Sequence, residues 1–193
     1  MITSDYIILG AGASGLMLAN RMSQDAFFND KLILIIDKDK NKGNDRTWCY
    51  WEEGTGEWDH ILHKSWSNIF FGSNTFSKTI AISPFNYKMI RSEKFYKSLW
   101  DSISLKPNIK FVEDSVNSFT EIENGVQVIT KKARYFGAKL FNSLPNPEVY
   151  KSQKKYPVLQ QHFVGWFVKT EEDCFDDSVA TFMDFKVEQN GNT

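Results

Sequence analysis

Three glycines and one carboxylate near the start of the chain have the residue types and the spacing needed to hold a phosphate-linked ligand. Gly10, Gly12 and Gly15 form a G-x-G-x-x-G pattern, and Asp37 follows 22 positions after Gly15. In such a turn the first glycine permits a sharp bend, the second lets backbone N–H groups approach a pyrophosphate, and the third allows close helix–strand packing. The Asp37 carboxylate can hydrogen-bond a ribose hydroxyl and favours a ribose without a 2′-phosphate.

The elements around these residues are those that would have to position them. Residues 6–9 and 32–36 are apolar, β-prone runs, and residues 16–22 between them have a helical pattern. This order predicts a strand, a glycine turn, a helix whose N-terminus faces the anion, and a second strand that ends at the acid. The pattern therefore favours nucleotide binding, and a glycine-rich turn in a ligand-free α/β domain is the alternative.

A second group of residues with chemical potential lies at residues 46–53, which read RTWCYWEE. Aromatic residues make up 15% of the chain although the mean hydropathy is −0.41, so the rings need an explanation. One interpretation is a core rich in phenylalanine, since aromatic side chains dominate burial energies. The other is a pocket for a large apolar or cation-like ligand. This second interpretation gains weight because rings cluster beside charged groups at residues 48–58 and again at 163–167.

Length and charge limit the classes of function. A chain of 193 residues can form one domain, or one domain and part of another, and a net charge of −1 gives no electrostatic footprint for nucleic acid. Cys49 and Cys174 are far apart and lack the spacing of metal ligands, so we expect no metal site and no structural disulfide. No segment resembles a signal peptide or a membrane span. These features predict a cytoplasmic protein.

The remaining pattern predicts more strands and one amphipathic helix. Residues 91–104 carry Phe95, Leu99 and Ile103 at helical spacing, and residues 123–125 form a hairpin signal. The other predictions are two strands around a turn within residues 67–82, a break at 84–87, strands at 109–112, 138–141, 161–169 and 181–187, and a linker at 145–157.

Several blocks, in order, resemble the amino-terminal half of the lycopene cyclase family, the flavoproteins of carotenoid biosynthesis. They are the glycine pattern and residues 44–52, 87–91, 161–166 and 182–185. The resemblance runs from residue 5 to residue 189, and the RTWCYWE and Met-Asp-Phe blocks are much more specific than the glycines.

The resemblance implies the fold class and the cofactor. The expected architecture is α/β, with a Rossmann-like FAD-binding domain of the glutathione-reductase-like type and part of an antiparallel-sheet substrate domain. Residues 1–60 and 91–150 would form the FAD domain, and residues 61–90 and 151–193 the partial substrate domain. The FAD would act in its reduced form, with NAD(P)H as the reductant. The residues expected to bind it are Gly10, Gly12, Gly15, Asp37, Arg46 and Val116.

The resemblance also implies the substrate and the chemistry. Cyclising a linear end of lycopene requires an acid that protonates an alkene, a water-free cavity, and faces that stabilise a carbocation. Glu52 and Asp184 are the candidate acids, because a carboxyl among apolar rings can stay protonated at neutral pH. For each, an exposed or paired structural acid is the alternative. The residues expected to line the cavity are Trp48, Tyr50, Trp51, Phe163 and Trp166.

The chain also departs from the family pattern. A downstream Gly-Asp-type segment and an acidic Phe-Leu-Glu-Glu-Thr-like motif are missing, so we expect this chain to be a truncated, inactive part with an incomplete FAD domain. Three functions compete: a redox-neutral cyclase, an FAD-dependent monooxygenase of an apolar substrate, and a non-catalytic nucleotide-binding remnant. The number of matching blocks favours the cyclase. Its long hydrocarbon substrate implies peripheral association with the inner face of the membrane.

Overall fold

The computed structural model describes residues 2–144, 147–158 and 164–186, and these residues form two compact units. The first unit contains residues up to Gly43 and those from Phe95 to 158. The second contains Asn44–Lys94 and residues 164–186. The boundaries differ from the expected ones, because residues 46–53 belong to the second unit, where residues 47–53 pair as a strand with residues 85–91.

Twelve strands and three α-helices make up the described chain. The strands are β1 (Ile2–Leu9), β2 (Ile33–Asp37), β3 (Thr47–Glu53), β4 (Lys64–Trp66), β5 (Asn68–Gly72), β6 (Ser77–Ala81), β7 (Phe85–Arg91), β8 (Ile109–Glu113), β9 (Val116–Ile122), β10 (Gly125–Thr130), β11 (Arg134–Asn142) and β12 (Val179–Asp184). The helices are α1 (Ala13–Gln24), α2 (Ser92–Ser104) and α3 (Pro147–Ser152), with 3₁₀ turns at Ala26–Phe28 and Asp59–Ile61.

The first unit is built on a six-stranded sheet in the order β8-β2-β1-β11-β10-β9. The first four strands are parallel, and β9 and β10 form the antiparallel hairpin that the 123–125 turn predicts. Residues 6–9 of β1 and 33–36 of β2 are apolar without alternation because both faces of these strands are covered. Ile7, Ile8, Ile33 and Ile35 are accordingly fully buried.

The two long helices, α1 and α2, each pack an apolar face into the core. Helix α1 follows the glycine turn directly and buries Leu16 and Ala19 completely. Helix α2 begins at Ser92 and confirms the predicted amphipathic pattern, because Phe95, Leu99 and Ile103 are all buried.

The second unit contains two three-stranded sheets. One has the order β3-β7-β4 and is fully antiparallel. The other has the order β12-β5-β6, in which β5 and β6 form the predicted hairpin and β12 runs parallel to β5. The second unit therefore contains one antiparallel sheet and one mixed sheet.

Some sequence predictions differ from the structure. The predicted break at residues 84–87 is shorter, because β7 starts immediately after the proline, at Phe85. The 145–157 linker contains α3. Residues 164–169 of the predicted 161–169 strand form no strand, and residues 161–163 lie outside the described residues. Strand β11 is longer than predicted because it pairs in parallel along β1.

Candidate functional site

The glycine turn between β1 and α1 has the geometry that the spacing predicts. Gly10 has a φ of +95°, a conformation that side chains with a Cβ rarely adopt. A Cβ on Gly15 would collide with the carbonyl oxygen of Gly10, so this position needs a glycine for packing. A Cβ on Gly12 would meet no atom within 4 Å, so the space in front of this residue is open. The turn is therefore closed towards the fold and open towards a ligand.

The N-terminus of α1 is free to meet an anion. Gly12 is its N-cap residue and supplies no side-chain cap, and the first turn contains no acidic residue. The first N–H groups of a helix lack intrahelical partners and carry the positive end of the helix dipole. These N–H groups and the open side of Gly12 together fit a pyrophosphate.

Asp37 joins the end of β2 to this turn. Its Oδ2 accepts hydrogen bonds from Ala11 N at 2.6 Å and Lys42 Nζ at 3.0 Å, and its Oδ1 accepts one from Asp39 N at 3.1 Å. Burial works to raise the pKa of Asp37, but the hydrogen bonds from Ala11, Lys42 and Asp39 outweigh it and the pKa lies below its ordinary value. The carboxylate is thus an ionised acceptor, as a ribose-binding acid must be.

Val116 begins β9 and is partly buried against the core cluster that includes Leu9 and Ile36. The adjacent loop is fixed by Asp114, a buried acid that the sequence analysis did not single out. Asp114 N donates to Asp37 O at 2.9 Å, and its carboxylate accepts from Thr130 Oγ1 at 2.6 Å. Val116 therefore starts from a loop that is anchored to the end of β2.

The predicted site residues on strand β3 lie on two different faces of the sheet. Successive side chains of a strand point to opposite faces of the sheet. Residues paired directly across a ladder share a face, so Trp51 lies with Tyr87, and Tyr50 lies with Lys88. Trp48, Tyr50 and Glu52 therefore occupy one face of the sheet, and Trp51 occupies the other. The predicted cavity residues of β3 do not form a single wall.

The sheet face that carries Trp48, Tyr50 and Glu52 also carries an ion cluster around a buried lysine. Lys88 is 2% exposed, and its Nζ donates to Glu52 Oε2 at 2.9 Å, Asp59 Oδ1 at 2.7 Å and Gly54 O at 2.8 Å. Burial works to lower the pKa of Lys88, but the bonds to Asp59 and Glu52 outweigh it and raise the pKa. Burial, and then the charge of Glu52, raise the pKa of Tyr50. Glu52 is thus a salt-bridged acid in this cluster.

The opposite face, which carries Trp51, has a row of aromatic rings across three strands. Tyr87 lies between Trp51 on β3 and Trp66 on β4, with ring centroids 5.0 and 6.1 Å away. Phe182 of β12 packs edge-on against Trp51 at 5.4 Å and Tyr87 at 5.6 Å. Burial, and then contact with Cys49, raise the pKa of Tyr87 to about 12. This row joins the two sheets of the second unit.

Asp184 ends β12 and lies opposite Gly72 of β5. A Cβ built on Gly72 would be 3.0 Å from Asp184 Oδ1 and 2.8 Å from the Phe70 ring, so the acid lies beside this ring. The neighbouring residues Met183 and Phe185 do not bury this acid, because their side chains are 41% and 52% exposed. The strand turns successive side chains to opposite faces, so sequence neighbours of Asp184 cannot enclose it.

The remaining predicted site residues are Arg46, Trp166 and Phe163, and the two that the structure describes have exposed side chains. Arg46 is fixed by its backbone, whose N–H donates to Ser92 Oγ at 3.0 Å, while its side chain is exposed and donates to Asp45 O. Trp166 is 84% exposed in a segment without helix or strand. Phe163 lies outside the described residues.

Comparison with solved structures identifies the fold. The chain resembles p-nitrophenol 4-monooxygenase PnpA from Pseudomonas putida DLL-E4 at 12% identity, with a TM-score of 0.59 over 74% of this chain and 41% of that one. It also resembles PqsL, a probable FAD-dependent monooxygenase from Pseudomonas aeruginosa, at 11% identity, with a TM-score of 0.55 over 72% and 41% of the two chains. NikD, an amino acid oxidase, matches at 12% identity, with a TM-score of 0.53 over 74% and 51%. The fold is thus Rossmann-like and of the FAD-binding type, and this chain spans about half or less of those structures.

The family follows from the sequence. The model of the lycopene cyclase proteins matches residues 5–193. The chain therefore belongs to the lycopene cyclase family, as its motif blocks indicated. No curated protein matches it.

Proposed function

We propose that this protein acts in the redox-neutral cyclisation of the linear ends of lycopene to ionone rings, as in β-carotene formation. The observation that carries the proposal is the family match over residues 5–193, which includes both the glycine turn and the two candidate acids. The geometry of the turn supports it, since Gly10, Gly12, Gly15 and Asp37 have the arrangement that a dinucleotide requires.

FAD is the cofactor of this proposal, and the residues present fit it. The open side of Gly12 and the free N–H groups of α1 would hold the pyrophosphate, and Asp37 would accept from a ribose hydroxyl. Arg46 and Val116 are proposed as further contacts. The reduced flavin, with NAD(P)H as its reductant, supplies an electron-rich ring system that can stabilise positive charge.

The protein's own side chains would move the proton and shield the cation. A proton donor has to be free of competing ion pairs, and no ion pair of Asp184 is found among the described residues, where its Oδ1 accepts a hydrogen bond from the backbone N–H of Lys186 at 3.0 Å. Glu52, in contrast, is occupied by Lys88. We therefore place Asp184 first as the acid that protonates the terminal alkene, and assign Glu52 to the ordering of its face. Aromatic rings stabilise a desolvated cation by about 2 kcal/mol or more each.

Lycopene also suggests where the protein works. Exposing a hydrocarbon to water costs about 0.8 kcal/mol per CH₂-sized unit, so we propose collection of the substrate at the cytoplasmic membrane surface. Among the described residues, no helix has the length and apolarity to cross a bilayer.

The decisive experiment supplies lycopene in detergent to the purified protein with reduced FAD, without oxygen, in deuterated water. Cyclisation adds one proton and removes another, so the product should have cyclic ends and about one deuterium per ring. Oxygen-dependent gain of one oxygen atom would establish the monooxygenase instead. Absence of both FAD binding and product would leave a nucleotide-binding remnant.

A further inference from the structure

A groove of about 560 Å³ lies between the two sheets of the second unit. Cys49, Trp66 and Tyr87 line it from the β3-β7-β4 sheet, and Phe70 and Thr181 line it from the other sheet. Small-molecule sites commonly have volumes of about 300–1,000 Å³. The groove therefore has the size of a ligand site, and the sequence analysis assigned none of its lining residues to a ligand.

The chemistry of the lining selects the class of ligand. Four aromatic rings, those of Trp66, Tyr87, Phe70 and Phe175, line the space, and ring faces carry partial negative charge. Asp176 is the charged residue among the described lining side chains, and its carboxylate accepts hydrogen bonds from Ser178 N and Oγ. Among the described residues the lining thus contains one anion and no cation, and the Lys186 ammonium lies outside it, 5.3 Å from the Phe70 ring centroid. A lining made mostly of rings and small apolar side chains suits a neutral hydrocarbon.

The groove also has an acid beside it. A Cβ built on Gly72 would lie 3.0 Å from Asp184 Oδ1 and 2.8 Å from the Phe70 ring, so the carboxyl that the proposed function needs lies on the same side of β5 as one ring of the lining. Glu52 and Lys88 lie on the opposite face of the β3-β7-β4 sheet and are separated from the groove by the backbone.

We propose that this groove binds one end of a conjugated hydrocarbon chain, between the aromatic row of Trp66 and Tyr87 and the Phe70 ring, next to Asp184. The polyene nature of the ligand rests on the proposed function, while the location and apolar character of the site rest on the lining. The substrate cavity thus lies on the Cys49 side of β3, and Trp48 and Tyr50 do not line it.

Cys49 provides a reporter, because its thiol is exposed and lines the groove. In a Cys174→Ser variant, we would measure the rate of N-ethylmaleimide labelling with lycopene-loaded detergent micelles and with empty micelles. At about ten times the dissociation constant, ligand should slow labelling about tenfold, since the rate follows the unoccupied fraction. The converse variant, Cys49→Ser, reports on Cys174, which is exposed and outside the lining, and its labelling should not change.

A blocked groove gives an independent measurement. Thr79 on β6 lines the groove, and Lys78 precedes it on the opposite face of the strand. Both residues are exposed, so tryptophan can replace either without entering the core. Thr79→Trp should abolish the protection of Cys49 by lycopene, whereas Lys78→Trp should leave it unchanged.

Unchanged labelling of Cys49 at lycopene concentrations that shift the carotenoid absorption spectrum would overturn the groove assignment. Labelling that is already very slow with empty micelles would also overturn it, because protein would then cover the groove. Protection without cyclic product would retain the groove and reject the proposed function. Cyclic product without protection of Cys49 would support the proposed function and reject the groove as the binding site.

Discussion

Asp37 Oδ2 lies 2.6 Å from the backbone nitrogen of Ala11, so the acid at the end of β2 is hydrogen-bonded to the glycine turn after β1. The two parts of the nucleotide-binding signature therefore hold each other in place. The same carboxylate accepts from Lys42, whose ammonium lies 3.0 Å from Oδ2 and offsets its charge. Positioning and binding are both functions of this one side chain.

The first prediction uses this dual role. Asp37→Asn keeps an acceptor oxygen but loses the charge, and hydrogen bonds to charged groups contribute about 1.5–3 kcal/mol. We expect a melting temperature about 5 °C lower at pH 7, with weaker flavin binding. Since the pKa of Asp37 in the folded protein lies below its ordinary value of 3.8, its stabilisation is present above that value and is lost as the pH falls through the lower one.

Thermal melts from pH 7 down to pH 3 would check this prediction. The difference between wild type and Asp37→Asn should shrink below pH 4 as Asp37 becomes protonated. Asp101→Asn, which alters an exposed pair with Lys97 on α2, is the control and should change the melting temperature little. A difference that stays constant with pH would contradict the charge-based explanation.

A second prediction separates ligand binding from folding at two glycines. Gly12→Val should abolish flavin binding and leave the melting temperature of the flavin-free protein nearly unchanged, because the added Cβ meets only open space. Gly15→Val should destabilise the fold itself, by about 1–3 kcal/mol or more, because its Cβ collides with Gly10 O. Flavin absorbance after gel filtration and thermal melts measure the two effects. If Gly12→Val retained flavin, the prediction that this turn binds the pyrophosphate would be wrong.

A third prediction concerns the buried ammonium of Lys88. Lys88→Met leaves Glu52 and Asp59 close together without their cation, and uncompensated charges of this kind are strongly destabilising. We expect the melting temperature to fall by about 5 °C or more. Lys64→Met, which breaks an exposed pair with Asp177, should lower it by less than about 2 °C. Equal effects of the two substitutions would show that burial of the cluster adds nothing.

The fourth prediction compares the two candidate acids. Asp184→Asn should reduce cyclisation by about 10²–10⁴-fold, as for a general acid, with flavin content and melting temperature kept. Glu52→Gln should lower the rate together with the melting temperature, because it also weakens the contact with Lys88. Rates of carotenoid product formation and thermal melts on both variants decide the matter. Full activity of Asp184→Asn would make it a structural acid.

The sequence predicted the elements whose formation depends on residues close together in the chain. The glycine turn, α2 and the β9–β10 hairpin depend on short-range spacing, and each is present. The cluster around Lys88 was not predicted, because it requires Glu52 to meet a residue 36 positions away through the pairing of β3 with β7. The residue types of β3 attracted attention, but two alternating faces can be assigned only once the segment is known to be a strand. Recognition of the β-sheet period in residues 47–53 would have been the missing signal.

The alternation along β3 has a consequence for how this protein can change. Odd positions such as Cys49 and Trp51 face the aromatic side, whereas even positions such as Tyr50 and Glu52 face the ion cluster. Substitutions at odd positions can therefore alter ligand preference while the ion cluster is untouched, and substitutions at even positions can alter stability while the groove is untouched. Insertion of a single residue into this strand would exchange the two sets at once, so variation here is tolerated by replacement and not by change of length.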